Sequence, residues 1–350
     1  MSRFATLLID WQKVHGRRGL PWQGTRDPYR VWLSEVMLQQ TQVSAVVPYY
    51  ERFLQRFPTV QALAQAEEDD VLQLWSGLGY YARGRNLHRA SRKIAFELGG
   101  RFPGTAESLE ELPGIGRSTA AAIAAFAFGE RAAILDGNVK RVLARHFGVD
   151  AEEEQWTLAT RLLPKQGIEA YTQAVMDLGA TLCTRGAPRC DACPVSRSCF
   201  ARKHGLAEQL PSRRPKKALP VRRARWFVLI RRGKVYLEKR PSSGIWGGLW
   251  SFPEAARPGW TVARELSPFE HAFTHFRLKV TPVICEGEAR DGRWFTLAKA
   301  RAAAVPTPVR SLLAGGLDAR AGRAAPAARA APASARAAAA RRRAARRAAR

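Results

Sequence analysis

Four cysteines crowd into one short stretch of this 350-residue chain. Cys183, Cys190, Cys193 and Cys199 have the spacing C-x6-C-x2-C-x5-C, which lets four thiolates surround one centre. A zinc ion and a [4Fe–4S] cluster both accept four Cys ligands. Zinc sites usually come as two CxxC pairs with a longer spacer, whereas this stretch has one CxxC and a compact loop. The spacing therefore favours one [4Fe–4S] cluster and keeps zinc as the alternative.

A glycine-rich turn joins two predicted helices. Leu112-Pro-Gly-Ile-Gly-Arg117 follows a helix over 107–112 and precedes an Ala-rich helix that runs to Phe128. Gly114 and Gly116 allow a sharp turn that exposes backbone N–H groups at a helix N-terminus, which suits a phosphate. Together with Arg117, the turn predicts a contact with a nucleic-acid backbone. A plain helix hairpin is the alternative.

The charge of the chain points to a polyanionic partner. The formal net charge is +27, and ten of the arginines lie in the acid-free stretch from Ala319 onward, so residues 1–318 still carry +17. Nucleic acid is the first candidate and an anionic membrane surface the second. No apolar run reaches 18 residues and Met1–Asp10 does not resemble a signal peptide, so we expect a cytoplasmic protein without a membrane span.

The hydrophobic pattern divides the chain into a helical part and a part with strands. Apolar residues recur at three and four positions up to about Phe200, and Gly or Pro closes each segment, which predicts about ten short helices. A basic, Pro-containing linker follows over 203–223. The period then becomes two, which predicts a mixed α/β or α+β domain over 224–315. The Ala/Arg stretch 316–350 is expected to be a disordered basic tail. The predicted strands are 226–230 and 235–237 in a hairpin, 278–285 and 293–297.

These motifs occur in an order that resembles a known family. The chain is similar to the helix–hairpin–helix DNA glycosylase superfamily and, within it, to the adenine DNA glycosylase (MutY) family, over about residues 4–310. The resemblance implies a mainly α, two-lobed glycosylase region over 1–202 and then an α+β Nudix-like domain. The lobes would be a six-helix barrel over about 21–130, with the hairpin at 107–128, and a cluster lobe made of 1–20 plus 131–202. The motifs that carry it are LPGIGR at 112–117, LDGNV at 135–139, SEVMLQQTQ at 34–42, GLGYYAR at 77–83 and the four-Cys loop.

The resemblance brings Glu35 and Asp136 into one cleft as a catalytic pair. Cleaving a purine N-glycosidic bond requires a proton on the leaving base and a negative charge near the developing oxocarbenium sugar. Glu35 lies among apolar residues that should raise its pKa, so it would protonate adenine N7 and later activate water. Asp136 would stay ionised and stabilise C1′, and Asn138 would orient either the Asp136 loop or the sugar. At Ser118 the lyase relatives carry a Lys that forms a Schiff base, so Ser118 predicts hydrolysis without strand cleavage.

The resemblance also assigns residues that open the duplex. An adenine inside DNA must be extruded before it can react. Gln40 and Tyr80 would wedge into the base stack beside the partner base, and Arg83 would contact a phosphate, together with Arg85. Trp22 would line the base pocket or pack in the core.

Residues 224–315 resemble a Nudix domain that lacks the catalytic glutamates. Only Glu254 and Glu265 lie between Pro253 and Phe269, with no Glu-Glu pair that would bind Mg²⁺. We therefore expect a binding domain, and the resemblance to the C-terminal domain of the family implies that it recognises 8-oxoguanine through Phe273, Thr274 and His275. The family usually has Ser at the second of these positions, and Thr keeps the hydroxyl.

The expected function is base-excision repair by a monofunctional adenine DNA glycosylase. Its substrate would be double-stranded DNA with adenine opposite 8-oxoguanine or guanine, its product an abasic site, and the enzyme a monomer acting at the nucleoid. One alternative is a bifunctional glycosylase/lyase of the endonuclease III type, which Ser118 and the second domain disfavour. The other is a non-catalytic DNA-binding protein that uses the cluster as a sensor, which the presence of both carboxylates disfavours.

Overall fold

The computed structural model describes residues 2–212 and 218–317, which form two compact units. The first unit contains the residues up to Pro220 together with Leu237–Ser251 and Ala302–Thr307. The second contains Val221–Tyr236, Phe252–Arg301 and the described residues from Pro308 onward. Residues 213–217 of the predicted linker and residues 318–350 of the predicted tail lie outside the described residues.

The first unit is helical, as the apolar periodicity predicts. Two of its helices, α6 and α8, continue into π-helical turns at Lys93–Glu97 and Ala124–Phe128, and two short 3-10 turns lie at Cys190–Ala192 and Ser196–Ser198. The helices up to residue 203 are α1 (Arg3–His15), α2 (Pro28–Leu38), α3 (Val43–Arg56), α4 (Val60–Gln65), α5 (Glu68–Trp75), α6 (Ala82–Arg92), α7 (Ala106–Glu110), α8 (Arg117–Ile123), α9 (Gly137–Phe147), α10 (Glu152–Leu162), α11 (Ile168–Thr181) and α12 (Phe200–Lys203).

The N-terminal helix packs with helices that follow residue 131. Phe4 and Leu8 of α1 share one hydrophobic core with Val142 of α9 and with Val175 and Leu178 of α11. Burying such side chains contributes about 1.5–3 kcal/mol each relative to exposure. The core therefore joins the first 15 residues to the region that carries Asp136 and the four cysteines.

Local capping fixes where two functional helices begin. The Asp27 side chain accepts a hydrogen bond from the backbone N–H of Tyr29, and Pro28 occupies the first position of α2. The Asp136 side chain caps α9 in the same way. These caps set the register of the helices, and so they fix the position of Glu35 on α2 and of Asp136 at the start of α9.

The helix–turn–helix at 106–123 has the predicted tight turn. Leu112 and Ile115 are buried, and Gly114 has φ +80°, a left-handed conformation that disfavours side chains. A Cβ on Gly114 would also stand 2.6 Å from the Cβ of Asn86. The turn therefore requires glycine at this position for two independent reasons.

The strands form a mixed sheet in which β1 is parallel to β6. In the second unit, β1 pairs antiparallel with the start of β2 through Ile230↔Val235, and β6 pairs antiparallel with β4 and β5. In the first unit, the end of β2 pairs antiparallel with β3. The strands are β1 (Val221–Arg231), β2 (Lys234–Lys239), β3 (Trp250–Ser251), β4 (Thr261–Glu265), β5 (Phe269–Ala272), β6 (Arg277–Glu286) and β7 (Arg293–Thr296), and the last helices are α13 (Leu297–Ala302) and α14 (Thr307–Ser311).

The predicted hairpin is confirmed, while the predicted linker is shorter than expected. Arg232 and Gly233 both have positive φ, as a two-residue hairpin turn requires, and they join β1 to β2. β1 already begins at Val221, because its basic first residues pair with β6 rather than remaining extended in solvent. Among the residues that the structure describes, no helix has the length and apolar character needed to cross a membrane.

Candidate active site

One cavity of the first unit collects the residues predicted to carry the chemistry. Glu35, Asp136 and Asn138 line the same cavity of about 460 Å³, and the indole of Trp22 forms part of its wall. Trp22 also packs edge-on against Tyr50, with ring centroids 5.3 Å apart. Trp22 therefore lines the cavity and packs in the core at once, so both alternatives for it hold.

Glu35 lies on α2 with buried neighbours on either side. Trp32 and Val36 are buried, and the Glu35 carboxyl group faces the cavity without a hydrogen bond to any described residue. Burial, with a smaller contribution from the charge of Asp136, raises the pKa of Glu35 to about 7, although Arg17 opposes the shift. A carboxyl group with this pKa holds a proton in a large fraction of molecules near neutral pH. Glu35 can therefore act as a general acid.

The Asp136 side chain is fixed in place by the start of α9. Its carboxylate accepts hydrogen bonds from the backbone N–H groups of Asn138 and Val139, at 2.9 and 2.8 Å. The positive end of the helix dipole adds to this stabilisation. The two carboxyl groups of the cavity therefore have opposite environments, one apolar and one rich in donors, as two different roles require.

Asn138 and Arg141 connect Asp136 to the cysteine loop. The Asn138 amide donates to Asp136 at 3.4 Å, and the Arg141 guanidinium donates to Asn138 Oδ1 at 2.8 Å and to the Cys183 carbonyl at 2.7 Å. Gly179 of α11 makes this approach possible, because a Cβ there would stand 2.6 Å from the Cβ of Asn138. Sequence reasoning missed Arg141, since nothing in its type distinguishes it from the other arginines.

Ser118 supports the loop that carries Asp136 and does not line the cavity. Its Oγ accepts a hydrogen bond of 2.9 Å from the backbone N–H of Leu135, the residue before Asp136. No lysine is found among the described residues that line the cavity. The site therefore offers hydrogen-bonding and carboxyl groups but no amine for a Schiff base.

A buried ion pair on the cavity wall was also missed by sequence reasoning. Asp177 is fully buried on α11 and accepts from both the backbone N–H and Nε of Arg17, at 3.0 and 2.7 Å, and from the amide of Gln173 at 2.8 Å. These bonds hold the positive charge of Arg17 where it lowers the pKa of Glu35. The signal that could have revealed Asp177 is its position within the apolar run Val175–Leu178.

The four cysteines of the loop line one further cavity. All four belong to its wall, and none of the described cysteines forms a disulfide. Burial, with smaller contributions from the neighbouring thiols Cys183, Cys199 and Cys190, raises the pKa of Cys193 to about 11. No group of three or more His, Cys, Asp or Glu side chains in the described part of the chain could hold a metal ion as it stands. Four thiols around one cavity are nevertheless a donor set that fits a cluster.

Gln40 and Tyr80 lie in two loops that Arg83 holds together. Both have positive φ, 55° and 49°, and Tyr80 is 48% exposed. The Arg83 guanidinium donates to the Gln39 carbonyl and the Thr41 hydroxyl of one loop and to the Gly79 carbonyl of the other. Burial lowers the pKa of Arg83 to about 10, so the side chain remains charged. These bonds favour an internal role for Arg83 over the predicted phosphate contact. Arg85 is buried as well and donates to the Gly247 carbonyl.

The remaining predicted residues lie on two exposed turns. Gly114, Gly116 and Arg117 are exposed on the first unit, and the Arg117 guanidinium lies 3.9 Å from the ring centroid of Trp156. In the second unit, Thr274 and His275 form the exposed tip between β5 and β6. Phe273 and Phe276 close this tip by stacking at 4.4 Å and by a backbone hydrogen bond of 2.9 Å.

Comparison with protein-family models gives two matches. Residues 33–165 match the "HhH-GPD superfamily base excision DNA repair protein" model, and residues 225–315 match the "NUDIX domain" model. The first match contains Glu35 and Asp136, and the second contains the Phe273–His275 tip. The order agrees with the predicted fold class, a helical glycosylase region followed by a Nudix-like domain.

Comparison with curated proteins and solved structures gives consistent results. The chain is 34% identical to an adenine DNA glycosylase of Buchnera aphidicola subsp. Schizaphis graminum, over 89% of this chain and 97% of that protein. It is also 34% identical to the Homo sapiens adenine DNA glycosylase, over 89% of this chain and 73% of that protein. The structure of a thermostable thymine-DNA glycosylase is similar, with a TM-score of 0.54, 28% identity, and coverage of 57% of this chain and 95% of that chain.

Proposed function

Because the chain belongs to the adenine DNA glycosylase (MutY) family, whose activity in base excision repair is hydrolysis of the N-glycosyl bond of adenine, we propose how its own residues perform that reaction. DNA is its substrate. We propose that this substrate is double-stranded, that the excised adenine lies opposite 8-oxoguanine or guanine, and that a monomer acts at the nucleoid. The observation that carries the proposal is one cavity lined by a desolvated Glu35 and a helix-capping Asp136.

Glu35 is the general acid of the proposed reaction. Its carboxyl group delivers a proton to N7 of the extruded adenine, so that the C1′–N9 bond breaks with its electron pair on a neutral leaving base. Water then adds to C1′ and gives its proton to the Glu35 carboxylate, which regenerates the acid. The product is free adenine and an abasic site.

Asp136 stabilises the positive charge that develops on the sugar. Its carboxylate is already fixed by the Asn138 and Val139 N–H groups, so no rearrangement is needed when C1′ becomes electron-poor. Ser118 and Asn138 assist by holding the Asp136 loop. Because the cavity offers no lysine among its described lining residues, the proposed reaction is monofunctional and leaves the strand intact.

One [4Fe–4S] cluster is proposed on Cys183, Cys190, Cys193 and Cys199, as is typical of the family. The donor set supports it, because four thiols line one cavity and a [4Fe–4S] cluster takes four Cys ligands. When bound, the cluster would tie four positions of the loop to one centre. Arg141 would then connect the loop to Asn138 through the Cys183 carbonyl.

DNA recognition is proposed to use three exposed features. Gly114, Gly116 and Arg117 present the hairpin turn to a phosphate, while Gln40 and Tyr80 enter the base stack. Phe273, Thr274 and His275 recognise 8-oxoguanine from the tip between β5 and β6. All of these residues are exposed except Phe273, which is half-buried at the base of the tip, and this exposure supports the assignment.

A strand-cleavage assay tests the proposal. Purified protein is incubated with duplexes that contain A:8-oxoG, A:G or thymine glycol, and the products are resolved with and without alkali. We expect excision of adenine from the first two duplexes, with strand breaks appearing only after alkali. Breaks without alkali would contradict monofunctional hydrolysis, and activity on thymine glycol would contradict the proposed choice of base.

A further inference from the structure

Arg83 makes an unusual set of hydrogen bonds for an arginine on a DNA-binding surface. Its Nη1 lies within 3.0 Å of three backbone carbonyl oxygens, those of Val36, Met37 and Gln39. Its Nη2 donates to Thr41 Oγ1 at 3.0 Å and to the Gly79 carbonyl at 3.2 Å. The guanidinium is therefore committed to internal acceptors.

Three of these acceptors, on Gln39, Thr41 and Gly79, belong to the two loops that carry the proposed wedge residues. Gln39 and Thr41 flank Gln40, and Gly79 precedes Tyr80. The guanidinium also lies 5.4 Å from the ring centroid of Trp75 and 5.6 Å from that of Tyr80. One side chain thus connects both loops and contacts the Tyr80 ring itself.

Both wedge residues have a backbone conformation that needs support. A non-glycine residue with left-handed φ costs about 1–3 kcal/mol and persists only where its surroundings determine it. Gln40 has φ 55° and Tyr80 has φ 49°. Neither has the short polar side chain that tolerates this region, so the support must come from neighbouring groups. The Arg83 guanidinium makes hydrogen bonds to both loops.

We propose that Arg83 is a positioning residue that clamps the 39–42 and 76–81 loops and so holds Gln40 and Tyr80 ready to enter the base stack. The proposal deepens the proposed function and rests on its assignment of Gln40 and Tyr80 as wedges. The bonds to Val36 and Met37 add a second effect, because a positive charge at the last carbonyls of α2 stabilises the helix that carries Glu35.

The test separates this role from a phosphate contact. Base extrusion is measured without excision by using the Glu35→Gln variant and a duplex with 2-aminopurine in place of the target adenine, because fluorescence rises when the base leaves the stack. At saturating DNA we compare the fluorescence rise of Glu35→Gln with that of Glu35→Gln/Arg83→Gln. In separate titrations we measure how the Kd of each variant for DNA depends on salt. Arg89→Gln in the same background is the matched control, since Arg89 is an exposed arginine of the same helix.

We expect Arg83→Gln to reduce the fluorescence rise at least fivefold and to leave the slope of log Kd against log[salt] unchanged. In protein that retains Glu35, Arg83→Gln should slow single-turnover excision tenfold or more. The midpoint of the excision rate plotted against pH should stay the same. A slope smaller by about 0.9 with an unchanged fluorescence rise would overturn the proposal, because that is the signature of one lost phosphate contact. Wild-type values for both quantities would also overturn it.

A milder pair of variants keeps the test valid if Arg83→Gln fails to fold. Thr41→Val removes one acceptor of the clamp, and Thr41→Ser keeps it. We expect Thr41→Val to reduce the fluorescence rise and Thr41→Ser to restore it, and equal values for the two variants would contradict the clamp. If Glu35→Gln alone gives no fluorescence rise, the assignment of Gln40 and Tyr80 is wrong. If Glu35→Gln gives a fluorescence rise and adding Arg83→Gln leaves that rise unchanged, only the clamp proposal is wrong.

Discussion

Replacing Glu35 by Gln should make the protein more stable as well as inactive. The substitution keeps the shape of the side chain but removes the carboxyl group that the cavity desolvates. Burial raises the pKa of Glu35 from 4.5 to about 7, so the folded protein disfavours the ionised form relative to the unfolded chain. Wild-type protein should therefore lose stability whenever the pH is high enough to ionise this group, and the Gln variant should not.

The size of the effect follows from the two pKa values. Below about pH 4.5 the group is protonated in both states and contributes no difference. As the pH rises from 4.5 to 7, the unfolded chain releases the proton while the folded protein retains it. Each pH unit in this window lowers wild-type stability by about 1.4 kcal/mol relative to the variant. Above pH 7 the difference levels off at about 3 kcal/mol at most, since the carboxyl group faces a cavity that solvent can enter.

Urea unfolding of full-length protein at pH 5, 6, 7 and 8 measures this difference. The gain from Glu35→Gln should be below about 1 kcal/mol at pH 5 and reach its plateau by pH 8. Glu51→Gln is the matched control, because Glu51 is exposed on α3. A pH-independent difference, or a Gln variant that is less stable at pH 8, would show that Glu35 is not desolvated. The argument for Glu35 as the acid would then fail.

Three further predictions concern the same machinery. Single-turnover excision of adenine should fall tenfold per pH unit above about pH 7, as Glu35 loses its proton, and a flat profile from pH 6 to 9 would exclude it as the acid. Ser118→Ala removes the acceptor of the Leu135 N–H and should destabilise the protein by about 1–3 kcal/mol in urea unfolding. It should also slow excision without changing the Kd for DNA. An unchanged rate would leave Ser118 without a role in holding the Asp136 loop. Purified protein should absorb at about 400 nm and contain about four iron atoms per chain. Cys199→Ser should reduce both the absorbance and the iron content. Stoichiometric zinc in colourless protein would instead favour zinc as the bound metal.

The sequence was informative where the determinant is local. The apolar neighbours of Glu35 predicted its raised pKa, and the Arg232–Gly233 turn predicted the hairpin, because both depend on residues within a few positions. The pairing of Glu35 with Asp136 could not be obtained from composition or periodicity, since about a hundred residues separate them. It came only from the family resemblance, and the shared cavity agrees with it.

Arginine roles were the least predictable part of the site. Arg83 and Arg141 have the same chemistry as an arginine that binds a phosphate, and only tertiary structure decides which acceptors surround them. Arg83 lies among carbonyls left at the end of α2, and Arg141 reaches a carbonyl more than forty residues away. The parallel pairing of β1 with β6 was missed for the same reason, because the paired residues, such as Val221 and Arg277, lie 56 positions apart in the chain.

Asp136 caps α9 and is proposed to stabilise the sugar, so selection for folding and selection for activity should rank its replacements differently. Asn or Ser can begin a helix about as well as Asp, so such a change would leave α9 intact and escape notice in any screen for soluble, well-folded protein. The same change would remove the negative charge that the sugar requires. Harmful variants at this position would therefore be found in cells as abundant, DNA-binding and silent protein, which can occupy mismatches without repairing them.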